Sequence, residues 1–93
     1  MNSRYKPQFV RSLKKDIEKL PDEALESVEQ AIDRILENPF RAGVKKLKAC
    51  SAAGVIMRLR VGDYRIVYSV DSETRVILFL AVKNRKDVYR KVK

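Results

Sequence analysis

The chain has no histidine and a single cysteine, Cys50. Those absences exclude a zinc site of the Cys/His kind, a Ser-His-Asp triad and a Cys-His nucleophile. One cysteine cannot close an intrachain disulfide, in keeping with a reducing cytoplasm. Cys50 lies between Ala49 and Ser51-Ala52-Ala53 and reads as a small loop or packing residue rather than a reactive thiol. No apolar stretch approaches the ~18 residues of a membrane span, and no signal-peptide core opens the chain. The expectation is a soluble, cytoplasmic protein without metal, cofactor or membrane partner. Repeats, linkers and low-complexity tracts are also missing, and 93 residues make one thin core. Residues 1–93 therefore read as a single domain whose chemistry sits on one face.

What the chain has in abundance is positive charge. Lys and Arg total 21 against 12 Asp and Glu, for a net charge of +9. The charge is segregated: residues 1–15 carry +5, residues 16–38 carry −6 and residues 39–93 carry +10. A basic half beside an acidic half suits a surface that meets polyanions, nucleic acid first among them. The same composition also fits a lysine-rich, solvated face with no partner.

The first half has helical period. Phe9, Leu13, Ile17 and Leu20 fall on one face of a helix over about residues 7–19. Pro21 interrupts, and Asp22 and Glu23 suit the positive end of a second helix. Leu25, Val28, Ile32, Ile35 and Leu36 form its apolar stripe, and Asn38-Pro39 ends it. The acidic residues lie between these positions, which puts most of the −6 on the solvated outer face of a helical hairpin. Residues 40–54 look irregular, although Leu47, within the basic run Lys45-Lys46-Leu47-Lys48, is placed to anchor a short strand.

From residue 55 the period changes to two. Val55-Ile56-Met57-Arg58-Leu59-Arg60-Val61 alternates, and Gly62-Asp63 is a two-residue hairpin signal with glycine where a type II′ turn needs positive φ. Tyr64–Val70 continues as strand, a turn falls at Asp71-Ser72-Glu73, and Thr74–Val82 reads as a central strand covered on both faces. Helices followed by a meander of strands make an α+β layer with the hairpin on one sheet face. A Gly62-Asp63 turn pairs Val61 with Tyr64, Leu59 with Ile66 and Met57 with Tyr68. It sets Arg60 against Arg65 and Arg58 against Val67 on the other face. Two arginines directly opposite destabilise a sheet by a few tenths to ~1 kcal/mol unless an anion sits between them. The alternative is that both splay outward over tyrosines or acids. Further basic residues, Lys83, Arg85, Lys86, Arg90, Lys91 and Lys93, surround Tyr89. Positive charge favours a phenolate, so Tyr89 is placed to act as a general base, to stack on a nucleobase, or simply to pack its ring on the core edge.

Leu59–Tyr68, followed by Val82-Lys83-Asn84-Arg85-Lys86-Asp87-Val88-Tyr89-Arg90, resembles the RelE branch of the RelE/ParE toxin superfamily. The Leu20-Pro21 break, the Asn38-Pro39 stop and Lys46-Leu47-Lys48 match as well. The resemblance implies a RelE-like βααβββ fold, its N-terminal helical hairpin packed on one face of a mainly antiparallel sheet. It implies a toxin of a type II toxin–antitoxin module, a metal-independent endoribonuclease whose basic face enters the ribosomal decoding site and cuts messenger RNA. Its partners would be a cognate antitoxin, the ribosome and mRNA. By position, Arg65 matches the arginine on the scissile phosphate, Arg58 a charge-stabilising strand residue, Arg85 the arginine of the penultimate motif and Tyr89 the near-terminal base. Arg60, Lys45, Lys46, Lys48, Lys83, Lys86 and Arg90 are the expected RNA-binding cations. Asn84, Lys83, Ile56 and Ala49 stand where the family often has histidine, glycine, lysine and glycine.

Cleavage through RNA's own 2′-hydroxyl suits a chain without histidine. The pentavalent phosphate needs stabilised charge, which arginines supply, and ribosomal positioning contributes several kcal/mol. Arg85 is a poor general acid because a guanidinium does not give up its proton in the ordinary pH range. Two other readings compete: a ParE-like toxin that inhibits DNA gyrase, and a non-catalytic RNA- or ribosome-binding module. Tyr89 among its basic neighbours speaks for the nuclease.

Overall fold

A computed structural model of the chain describes residues 4–40, 43–48 and 55–84. The elements run β1 (Lys6–Phe9), α1 (Arg11–Glu18), α2 (Asp22–Glu37), β2 (Val44–Lys48), β3 (Val55–Val61), β4 (Tyr64–Asp71) and β5 (Val76–Asn84). They build one five-stranded sheet in the order β1-β5-β4-β3-β2, antiparallel except where β1 joins β5 in parallel. The α+β architecture is the one expected, with one more strand after the helices. That strand, β2, contains Leu47 and lies on the lysine-rich outer edge beside β3. Positive charge on an exposed edge discourages pairing with another chain.

The first helix is shorter than its periodicity predicts. Residues 6–9 form β1, not helix, and Phe9 pairs with Phe79, its ring stacked on that residue's at 5.3 Å. The Tyr5 and Lys6 N–H groups donate to the carbonyls of Leu36 and Arg75 at 2.9 and 2.8 Å, extending this docking to both neighbours. Pro7 has no N–H to donate and is tolerated because β1 is an edge strand. α1 then presents Leu13, fully buried, with Ile17 and Leu20 packed against the core. α2 follows Pro21, with Asp22 and Glu23 in its first turn where the helix dipole favours anions. Val28, Ala31, Ile35 and Leu36 are its buried face.

The β3–β4 hairpin has the expected register: Val61 pairs with Tyr64, Arg60 with Arg65, Leu59 with Ile66, Arg58 with Val67 and Met57 with Tyr68. Gly62 has φ 59° and Asp63 is not in the positive region, as a type II′ turn requires. Met57, Ile66, Tyr68 and Val70 form the sheet's half of the core with Ile77, Phe79 and Val82 from β5. Tyr68 is fully buried, and its hydroxyl donates to the Pro39 carbonyl at 2.8 Å. The end of α2 is thereby fastened to the middle strand.

β5 begins at Val76 rather than Thr74. The Asp71 carboxylate accepts from the Glu73 and Thr74 N–H groups at 3.0 and 3.3 Å, and Arg75 takes φ 59°, so residues 72–75 form the turn. The strand is interior, between β1 and β4, but only one face is fully buried; Val76, Leu78 and Leu80 are partly exposed. Its pairing with β4 shifts between Val67 and Tyr68, which oppose Ala81 and Phe79. The bulge at Leu80 changes the strand's phase. Before it, Ile77 and Phe79 face the helices; after it, Val82 does, and Lys83 turns to the opposite face.

Tyr68→Phe is expected to cost about 1–3 kcal/mol in urea unfolding, because it leaves the Pro39 carbonyl buried without its donor. Gly62→Ala meets no atom within 4 Å and is expected to cost only the backbone strain of positive φ, about 1 kcal/mol.

Candidate nucleic-acid interface

The site is built by the hairpin register and the Leu80 bulge together. Because strands alternate faces, burying Leu59, Ile66 and Val82 places their neighbours on the side away from the helices. One cross-strand row there is Arg60, Arg65 and Lys83; the next is Lys45, Arg58, Val67 and Ala81. Opposed Cβ atoms in such rows lie about 4.5–5.5 Å apart, and the two rows are about 7 Å apart along the strands. Five basic side chains from four adjacent strands thus share one patch of sheet. Arg60 and Lys45 are exposed and Arg58 and Arg65 partly so.

Described acids compensate little of the charge of this patch. Among the described residues, the ion pairs are Arg4 with Asp33 and Lys83 with Asp16, and the one guanidinium over an aromatic ring is Arg75 on Tyr5, at 4.2 Å. Arg58, Arg60, Arg65 and Lys45 share neither kind of contact with a described residue. The outward-splayed arrangement, with arginines lying over acids or tyrosines, is therefore not found there. A directly opposed Arg60–Arg65 pair with no described acid on it costs the sheet stability.

Lys83 differs from its row neighbours. Its Nζ lies 2.9 Å from Asp16 Oδ1, and Asp16 Oδ2 accepts the Val82 N–H at 3.3 Å. The side chain of Asp16 is 12% exposed, that of Lys83 34%. Periodicity assigned Asp16 to the solvated face of α1, which missed this contact. The available signal was spacing: Asp16 is three residues from Leu13 and next to Ile17, on the flank of the buried stripe.

The structure brings Arg58, Arg60, Arg65, Lys45 and Lys83 together. Lys46 and Lys48, on β2, pair by backbone with Met57 and Ile56 of β3. Arg85, Lys86, Tyr89 and Arg90 lie outside the described residues, as do Ala49, Cys50 and Gly54. Two shallow grooves of about 310 and 260 Å³ run along α2 against β3 and the Gly62 turn, lined in part by Ser27, Gln30, Arg34 and Leu59 and by Glu23, Ala24 and Asp63. Of the basic rows, Arg60 alone lines one of them, the groove beside Ser27 and Arg34. Among the described residues, no group of three or more Cys, Asp or Glu side chains could hold a metal, and no helix is long and apolar enough to cross a membrane.

Fold and face together define a class: a small α+β domain with two helices behind a mostly antiparallel sheet and cations in front. Residues 4–89 match the family model of the ParE toxin of the type II toxin–antitoxin system parDE. The chain is 34% identical over 88 residues to Toxin RelG of Mycobacterium tuberculosis, which covers 94% of this chain and 98% of that relative. It thus belongs to the RelE/ParE family of type II toxin–antitoxin toxins. Among solved structures, the archaeal RelE–RelB complex from Pyrococcus horikoshii matches with TM-score 0.78 at 27% identity, covering 91% of this chain and 97% of that one. The toxin–antitoxin complex RelBE2 from Mycobacterium tuberculosis matches with TM-score 0.73 at 26% identity, covering 87% and 91%.

Arg60→Thr is expected to raise unfolding stability by about 0.2–1 kcal/mol at low salt, by relieving the like-charge pair. The gain is expected to shrink in about 1 M salt, where the screening length falls to about 3 Å.

Proposed function

We propose that this toxin is a ribosome-dependent endoribonuclease that cuts messenger RNA in the decoding site, and that an antitoxin protein of the RelB kind holds it in check. The observation that carries the reading is the double row of cations on the open sheet face, four of them without an acidic partner among the described residues. The names of the relatives support it: a RelG toxin, and RelE toxins solved in complex with RelB. They favour RNA cleavage over inhibition of gyrase.

In this mechanism the RNA backbone lies across the two rows. Arg65, flanked by Arg60, contacts the scissile phosphate, and Arg58 in the adjoining row stabilises the charge that develops on it. Lys45 holds the neighbouring backbone. Tyr89 removes the proton of the 2′-hydroxyl. The 2′-oxygen then forms a bond to phosphorus as the bond to the 5′-oxygen breaks, and the departing 5′-oxygen takes a proton from water, leaving a 2′,3′-cyclic phosphate and a 5′-hydroxyl end. Arg85 adds positive charge near the leaving oxygen. The arginines act by electrostatic preorganisation, and removing one such donor typically costs about 10²–10³ in rate. Free RNA is a poor substrate in this account, because the ribosome supplies the orientation.

The test is to add the purified chain to a reconstituted translation system and map messenger RNA ends by primer extension, with and without ribosomes. New ends are expected only with ribosomes, falling about 10²-fold or more with Arg65→Ala and vanishing with Tyr89→Phe. Intact messenger RNA in both arms would overturn the nuclease reading, and trapped DNA breaks with gyrase would replace it.

A further inference from the structure

The bulge at Leu80 delivers Lys83 to the same row as Arg60 and Arg65, yet its ammonium is bound to a carboxylate from α1. The contact is built rather than incidental. Pairing of β1 with β5 ends at Phe9 and Phe79, and beyond that point no described strand lies along the outer edge of β5. Asp16 occupies this edge, accepting the Val82 N–H through Oδ2 and the Lys83 ammonium through Oδ1. The backbone bond fixes the carboxylate, and the fixed carboxylate fixes the lysine. A side chain only 12% exposed has little freedom to swing away.

We propose that Asp16 is a positioning residue that withholds Lys83 from RNA, so that the row presents two cations to phosphate instead of three. The inference rests on the reading of the open face as an RNA-binding surface. Its consequence is a restrained affinity for RNA in general. Any phosphate arriving at Lys83 competes with an intramolecular carboxylate already in place, whereas Arg60 and Arg65 have no described acidic competitor. A toxin whose cleavage depends on the ribosome benefits from weak capture by other RNA, and Asp16 trims the non-specific, counterion-releasing part of binding without touching the arginines.

The salt dependence of binding reads this directly. Each phosphate neutralised on a single strand contributes about 0.7 to the slope of log affinity against log salt. The full chain is titrated with a short, single-stranded 2′-O-methyl RNA, which lacks a free 2′-hydroxyl and stays intact, across a series of potassium chloride concentrations. In Asp16→Asn the amide oxygen still accepts the Val82 N–H, but the charge on Lys83 is released. Its slope is expected to steepen by about 0.7, and adding Lys83→Gln to be enough to cancel the gain. Lys83→Gln alone is expected to leave the wild-type slope in place.

Weaker binding by Asp16→Asn at an unchanged slope would show a merely structural role and overturn the proposal. So would a slope flattened by about 0.7 in Lys83→Gln alone, because Lys83 would then already be on phosphate. That second variant decides the matter even where Asp16→Asn fails to fold. Arg65→Ala separates the two readings. A flattened slope there with no response to Asp16→Asn removes the Asp16 proposal alone; no change with Arg65→Ala removes the RNA-binding face and the proposal with it.

Discussion

Everything in this molecule that bears on function depends on the register of the β3–β4 hairpin. Gly62 at φ 59° closes a two-residue turn, and that turn makes Val61 face Tyr64. A slip of one residue would send every side chain of one strand to the wrong side of the sheet. Arg58 and Arg60 would then meet the helices, and Leu59 would meet water. The cost of burying those charges locks the register as firmly as the turn does. The Leu80 bulge performs the same service on β5, where Val82 enters the core and Lys83 leaves it.

The two sides of the sheet are therefore electrostatic opposites by construction. Behind it, α2 carries six acids and one base, with the apolar stripes of both helices packed inward. In front, two cross-strand rows concentrate cations at spacings that ordinary sheet stability disfavours. A fold tolerates such a local conflict where a ligand resolves it, and in the proposed function that ligand is a polyanion. The acidic α2 adds direction: a polyanion approaching it is repelled, and one approaching the sheet is drawn in.

The parts of this design that local pattern specifies were legible in the sequence. Alternation from Val55 to Val61, the Gly62-Asp63 turn and the two apolar helical stripes gave the hairpin, its pairings and the arginine row. β1 was not legible from periodicity, because Lys6-Pro7-Gln8-Phe9 is exposed on both faces and has no alternation to read. Phe9 sits four residues from Leu13, the spacing of a helix, while its actual partner is Phe79, seventy positions away. The phase change at Leu80 was equally hidden, since an unbroken apolar run from Val76 to Val82 looks the same with or without a bulge. Asp16 was assigned to solvent because its partners, Val82 and Lys83, are brought to it only by the tertiary fold. Long-range pairings of this kind leave no local trace in a single chain.

The central claim is that the open sheet face, and not the helical face, receives nucleic acid. Amide chemical-shift mapping during titration with a short single-stranded RNA tests it most directly. The account predicts that the shifts concentrate on β3, β4 and the Lys45 region of β2, around Arg58, Arg60 and Arg65, while Glu26, Glu29 and Asp33 on α2 stay in place. Shifts centred on Ser27, Gln30 and Arg34 of α2, with Arg58 and Arg65 unmoved, would contradict it.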